Sequence, residues 1–152
     1  MKHVKNQFGL AHEEFMRRFN RDADVPNLRD ETLAKTVWRD PAELKYSVSP
    51  GTRYHTDVEV DLYQKTIYYY TGALPIVIDD GMNIVAGQGR VEAGRLLNIE
   101  RIPALVMSTL TSDDAQHYLE IIEEFGNYVG WSPDMLRIDL QLLNPIIPKQ
   151  PG

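Results

Sequence analysis

The stretch from Pro75 to Arg95 constrains this chain most. Two short β-favouring runs, Pro75-Ile76-Val77-Ile78 and Asn83-Ile84-Val85-Ala86, flank Asp79-Asp80-Gly81-Met82. An Asp-Gly pair between apolar runs predicts a β-hairpin, because it supplies the left-handed backbone that a tight turn needs. The second run delivers the chain into Gly87-Gln88-Gly89-Arg90, and a helix through Val91, Gly94, Arg95 and Leu97, closed by Asn98, is expected to follow. Glycines permit close backbone approach, the first amides of a helix have no partner within it, and an arginine adds a permanent planar charge. Together they predict an anion cradle, although the four residues alone fit an ordinary tight turn as well.

Similar signals extend to both sides. Thr36-Val37-Trp38 is a short strand candidate stopped by Asp40-Pro41, and Ser47-Val48-Ser49-Pro50-Gly51 is rich in turn formers. Thr56 and Glu59 have capping-box spacing, and a helix there would place Leu62, Tyr63, Thr66, Ile67 and Tyr70 on one face. Val58, Val60 and Leu62 also alternate as in a strand, and Tyr68-Tyr69-Tyr70 is β-favouring, so the pattern admits both forms; helix is preferred. Ile102 to Met107 reads as a strand despite Pro103. From Thr111, residues Ala115, Tyr118, Leu119, Ile122 and Phe125 form a helical stripe, with Asp113 and Asp114 in the first turn and Gly126 marking the end. Ser132-Pro133-Asp134 is a further helix start, continued by Leu136, Leu140 and Leu143.

This mixture predicts an α+β fold, a small mixed sheet flanked by helices, over residues 36–143. An N-terminal arm, 1–35, carries a short amphipathic helix marked by Phe8, Ala11, Phe15 and Phe19. A C-terminal tail, 144–152, contains Pro145, Pro148 and Pro151, which prevent regular structure. At 152 residues and 43% hydrophobic, the chain is long and apolar enough for one core. Trp38 and Trp131 are expected to pack as large apolar anchors.

Composition also excludes chemistry. Without cysteine there is no disulfide, thiolate metal site or thiol nucleophile. A net charge of -6 opposes strong sequence-independent nucleic-acid binding, leaving only a local basic patch for DNA. No apolar run reaches membrane-spanning length and no apolar stretch follows the N-terminal charges, so a cytoplasmic location is expected. Asp79-Asp80 is better explained by turn chemistry than by a metal, and no metal site is expected. Glu92 and Arg95 are spaced to pair with each other or reach a ligand, a surface pair being the simpler reading.

The order of hairpin, Gly87-Gln88-Gly89-Arg90, helix and Ile102-Pro103-Ala104-Leu105-Val106 resembles the central block of ParB N-terminal domains and sulfiredoxins. Ile102 to Asp113 is especially similar to the segment after that helix in sulfiredoxins. Gly126-Asn127-Tyr128-Val129-Gly130-Trp131-Ser132-Pro133-Asp134-Met135-Leu136 resembles the end of ParB-like domains attached to phage-type DNA methyltransferases. The resemblance spans about Val37 to Leu143 and implies a ParB/sulfiredoxin-like fold. In that superfamily the glycine-rich loop contacts nucleotide phosphates, those of ATP in sulfiredoxin and of CTP in segregation ParB proteins. This implies Arg90 as principal phosphate ligand, with Gly87, Gln88 and Gly89 forming the cradle. Thr66 matches a phosphate-side hydroxyl of sulfiredoxins, and Arg53 is a second anion ligand by position and charge.

The departures are specific. Gln88 and Gly89 stand where sulfiredoxins have cysteine and histidine, which excludes repair of oxidised cysteine. Glu59 and Leu62 replace a lysine and a serine of that family. The chain has Gly89 at one arginine of the segregation-ParB loop and carries no helix-turn-helix domain within this sequence. The expected function is therefore a ParB-like nucleotide-binding accessory factor in DNA-related processes of a phage or mobile element, in a form compatible with homo-oligomers. A second expectation is a phosphotransferase, nucleotide hydrolase or nuclease, with Mg2+ bridging phosphates, Glu59 positioning the nucleophile and His55 as acid or base. A third is a non-catalytic scaffold.

Overall fold

The structure is a computed structural model and describes residues 26–46, 59, 61–64, 74–140 and 143. The expected arm helix, the tail, and the candidate ligands Arg53, His55 and Thr66 lie outside these residues.

The architecture is α+β, as expected. A five-stranded mixed sheet has the spatial order β1-β5-β3-β4-β2. Its strands are β1 (Val37–Arg39), β2 (Lys45–Tyr46), β3 (Ile76–Ile78), β4 (Asn83–Ala86) and β5 (Ile102–Val106). β1 runs antiparallel to β5 and β3 antiparallel to β4, whereas β5 with β3 and β4 with β2 are parallel. Pro103 is accommodated because β5 pairs with β3 only from Ala104 onwards. The helices are α1 (Asp30–Leu33), α2 (Gln88–Leu96), α3 (Ser112–Val129) and α4 (Pro133–Asp139). Glu59 and residues 61–64 are also helical, which favours helix for the segment that sequence left open.

The central strands bury both faces, so two apolar clusters form. The larger joins Val77, Val85 and Leu105 to Tyr118, Ile122, Phe125, Trp131 and Met135, and Tyr63 closes it. The smaller joins Ile76, Ile78, Ile84, Val91, Ile102 and Ala104. Leu28 and Thr32, at the end of the expected arm, are buried as well.

The hairpin forms where expected, but its turn works differently. Met82, not Gly81, takes the left-handed conformation, with φ 68°. The Asp79 carboxylate organises the turn by accepting from the amides of Gly81 (2.9 Å) and Asn83 (2.8 Å). Those amides, acting against partial burial, hold its pKa below the usual carboxylate range. Three other expectations change. Gly126 does not end α3; the helix continues to Val129 and stops at Gly130, φ 88°, while the amides of Gly130 and Trp131 both donate to the Gly126 carbonyl. Trp131 is buried as expected, but Trp38 is 44% exposed on β1, at the sheet edge. Arg95 does not pair with Glu92: its Nε donates to the Pro41 carbonyl at 3.0 Å and its guanidinium lies 4.9 Å from the Tyr46 ring centroid.

The start of α3 is fixed by a buried carboxylate. Thr111 and Asp114 form a capping box, and Asp114 also accepts from Lys35 Nζ (2.6 Å) and Thr32 Oγ1 (3.2 Å). The Lys35 ammonium, followed by the Thr111 amide, holds the Asp114 carboxyl well below the usual range. Asp114→Asn should cost about 1–2 kcal/mol at pH 7, the size of a lost cap. A depressed folded-state pKa means this contribution is full above the unfolded value, about 4, and is lost as pH falls through the folded value. Urea melts should thus show the gap between wild type and variant narrowing progressively below about pH 4.

Candidate functional site

β4 ends at Ala86, and Gly87 turns the chain into α2 with φ 106° and ψ 22°, a left-handed conformation natural to glycine. The first bond along α2 runs from the Val91 amide to the Gly87 carbonyl at 3.0 Å. The amides of Gly89 and Arg90 precede it in the first turn, where a helix supplies no acceptor. The positive end of the helix dipole therefore opens at this loop.

Both glycines are also required by packing. A Cβ on Gly87 would sit 2.4 Å from Ile76 Cγ2, and one on Gly89 2.3 Å from Tyr63 Cε2. The Tyr63 ring thus lies directly against the loop. Its hydroxyl donates to the Met135 carbonyl at 3.2 Å, and burial, reinforced by the Asp139 charge, raises its pKa far above the ordinary tyrosine value. Gln88 is half-buried, with its amide nitrogen 3.5 Å from Glu92 Oε1.

Arg90 is where the structure departs most from expectation. The anticipated phosphate ligand is 3% exposed and directs its guanidinium into the protein. Nη1 donates to the carbonyls of Leu74 (2.6 Å) and Pro75 (3.3 Å). Nη2 donates to the Tyr118 hydroxyl and to Asp139 Oδ2, both at 2.9 Å. The Tyr118 hydroxyl in turn donates to the Pro75 carbonyl at 2.7 Å. Burial opposes the Arg90 charge, but the Asp139 carboxylate more than offsets it and raises the arginine's pKa. The physical reason is simple: the inward-facing Asp139 carboxylate is fully buried and requires a cation.

Asp139 was not singled out from sequence, yet it touches the loop twice, because its backbone carbonyl accepts the Gly87 amide at 2.9 Å. A signal existed. Asp139 falls between Leu136 and Leu143 on the apolar stripe of a helix, where an acid demands a buried partner. Glu59 lies one helical turn before Tyr63, the side chain that abuts Gly89. Among the described residues no group of three or more His, Cys, Asp and Glu is placed to hold a metal ion, and no helix is long and apolar enough to cross a membrane.

These features define a class: a small α+β domain whose hairpin feeds a glycine-turned helix N-terminus backed by a buried arginine. A curated relative places it more closely. The chain is 32% identical over 82 residues to the ParB-like nuclease domain-containing protein YnaK of Escherichia coli (strain K12), covering 54% of this chain and 93% of that protein. It belongs to the ParB-like domain family. No protein-family model matches it. Among solved structures it aligns with the C-terminally truncated chromosome-partitioning protein ParB from Caulobacter crescentus, complexed with CTP-gamma-S. That alignment covers 72% of this chain and 78% of the other, at 18% identity and a TM-score of 0.40.

Proposed function

We propose that this ParB-like protein binds a nucleotide by its phosphates at the N-terminal end of α2 and serves as an accessory or regulatory factor in a DNA-related process of a phage or mobile element. The supporting observation is the opening of α2 from a left-handed Gly87, with the amides of Gly89 and Arg90 in its first turn, where a helix supplies no acceptor. With α4 in place, the buried charge of Arg90 supports the cradle from behind as a positioning residue. Arg53 and Thr66 supply the side-chain contacts, and Mg2+ neutralises the phosphates. CTP and ATP are the nucleotides that kinship with ParB proteins and sulfiredoxins implies.

Melting temperatures measured with CTP, ATP, GTP and ADP in the presence of Mg2+ test this directly. A ligand at a hundred times its Kd adds about 2.7 kcal/mol of stability, which a melting curve resolves. Arg53→Ala should raise the Kd of the active nucleotide at least tenfold, lowering its stabilisation by about 1.4 kcal/mol at saturating ligand. No shift with any of the four would sink the reading.

A phosphoryl-transfer or nuclease reading is favoured by one observation, the placement of Glu59 on the helix whose Tyr63 packs on the loop. In that case Glu59 positions the nucleophile and His55 acts as acid or base. Phosphate release accompanying the melting shift, abolished by Glu59→Gln, distinguishes it from binding alone.

A further inference from the structure

Two donors beside the amides that open α2, the Gly87 amide and Arg90 Nη2, both reach one residue. Asp139, the last residue of α4, takes the Gly87 amide on its carbonyl oxygen and Arg90 Nη2 on its carboxylate, both at 2.9 Å. It therefore offers two oxygens, one of them anionic, to one backbone amide and one guanidinium. Those are the donors a phosphate engages. We infer that Asp139 is an internal counter-anion, and that α4 is an autoinhibitory latch with which a phosphate-bearing ligand competes. This inference rests on reading the loop as an anion site.

Two details suit a contact that opens. The pair meets at one point instead of fork to fork, so Asp139 Oδ1 and Arg90 Nε are buried without hydrogen-bond partners among the described residues. A buried polar network satisfied only in part is held less firmly than a complete one. In addition, the other acceptors of Arg90, the carbonyls of Leu74 and Pro75 and the Tyr118 hydroxyl, belong to the start of the hairpin and to α3, not to α4. When α4 leaves, Arg90 keeps its frame while Nη2 and the Gly87 amide lose their acceptors on Asp139. A ligand shifts this equilibrium only through tighter binding to the open state, and by reciprocity whatever holds α4 down weakens the ligand.

The test uses the full chain and two probes, inorganic pyrophosphate and CTP with Mg2+, titrated calorimetrically into wild type and Asp139→Asn. Asp139→Asn is expected to bind pyrophosphate at least tenfold more tightly than wild type while melting at a lower temperature. A structural role alone would lower the melting temperature without raising affinity. Hydrogen exchange on the wild-type protein gives a readout that needs no variant: amides of residues 133–140 should exchange faster with pyrophosphate bound. Equal or weaker binding by Asp139→Asn overturns the latch, as does unchanged or slower exchange in 133–140 on ligand addition. CTP binding equally to both proteins would sink the latch and leave nucleotide binding standing. Tighter pyrophosphate binding with no response to any nucleotide would do the reverse.

Discussion

Gly87→Ala should lose about 2–5 kcal/mol of stability, the sum of about 1–2 for a left-handed backbone carrying a side chain and about 1–3 for overpacking a core. The two costs arise separately. At φ 106° any L side chain is strained, whatever surrounds it. The added methyl would also meet Ile76 at 2.4 Å from Cγ2 and 2.8 Å from Cβ. Ile76 is 1% exposed on β3, which lies between β5 and β4, so it has nowhere to withdraw. Gly130→Ala separates the contributions. That glycine has a similar φ of 88° but nothing within 4 Å of an added Cβ, so only the strain of about 1–2 kcal/mol should be seen. Urea unfolding measures both, with midpoints shifting and slopes unchanged if the folded and unfolded states keep their compactness. Equal effects at the two positions would mean that Gly87 is not packed on Ile76.

The same residues show what sequence could and could not reveal. Hairpin, loop and helix were legible because each carries a local signature: an Asp-Gly turn, paired glycines and a left-handed Asn98, found at φ 55°. The stripe of Ala115, Tyr118, Ile122 and Phe125 was legible because a helix repeats its buried face over many residues. β2 escaped notice because two residues, Lys45–Tyr46, cannot display a period. Gly126 misled because a helix glycine can be required by a neighbour as well as by a terminus; its Cβ would come within 3.2 Å of the Trp131 ring. Trp38 misled because its exposure depends on β1 falling at the sheet edge, and edge position follows from a strand order that does not run in sequence order. At the loop, sequence anticipated the passage from strand through Gly87 into a helix but not the direction of Arg90. A side chain at the third position of a helix can face solvent or core, and the choice here is made by Asp139, 49 residues away.

That long-range choice carries a large energetic consequence. Removing one partner of a buried ion pair strands the other charge, at about 3–5 kcal/mol. Arg90→Met should therefore destabilise by that amount, since Asp139 is left fully buried, with its Oδ1 already without a hydrogen-bond partner among the described residues. The double variant Arg90→Met with Asp139→Leu should recover most of the loss, because it removes both charges and leaves Met beside the Trp131 ring, whose centroid lies 5.8 Å from the Arg90 guanidinium carbon. Recovery stops short of complete. The Leu74 carbonyl loses its Arg90 donor, whereas the Pro75 carbonyl keeps the Tyr118 hydroxyl. One stranded acceptor leaves a residual cost of about 1–3 kcal/mol. Asp139→Leu alone strands the Arg90 charge at a similar cost, so a double-mutant cycle on urea melts would give a coupling of at least about 3 kcal/mol between positions 90 and 139. Strictly additive losses would mean that the two charges are not each other's partner, and the inward orientation of Arg90 would need another cause.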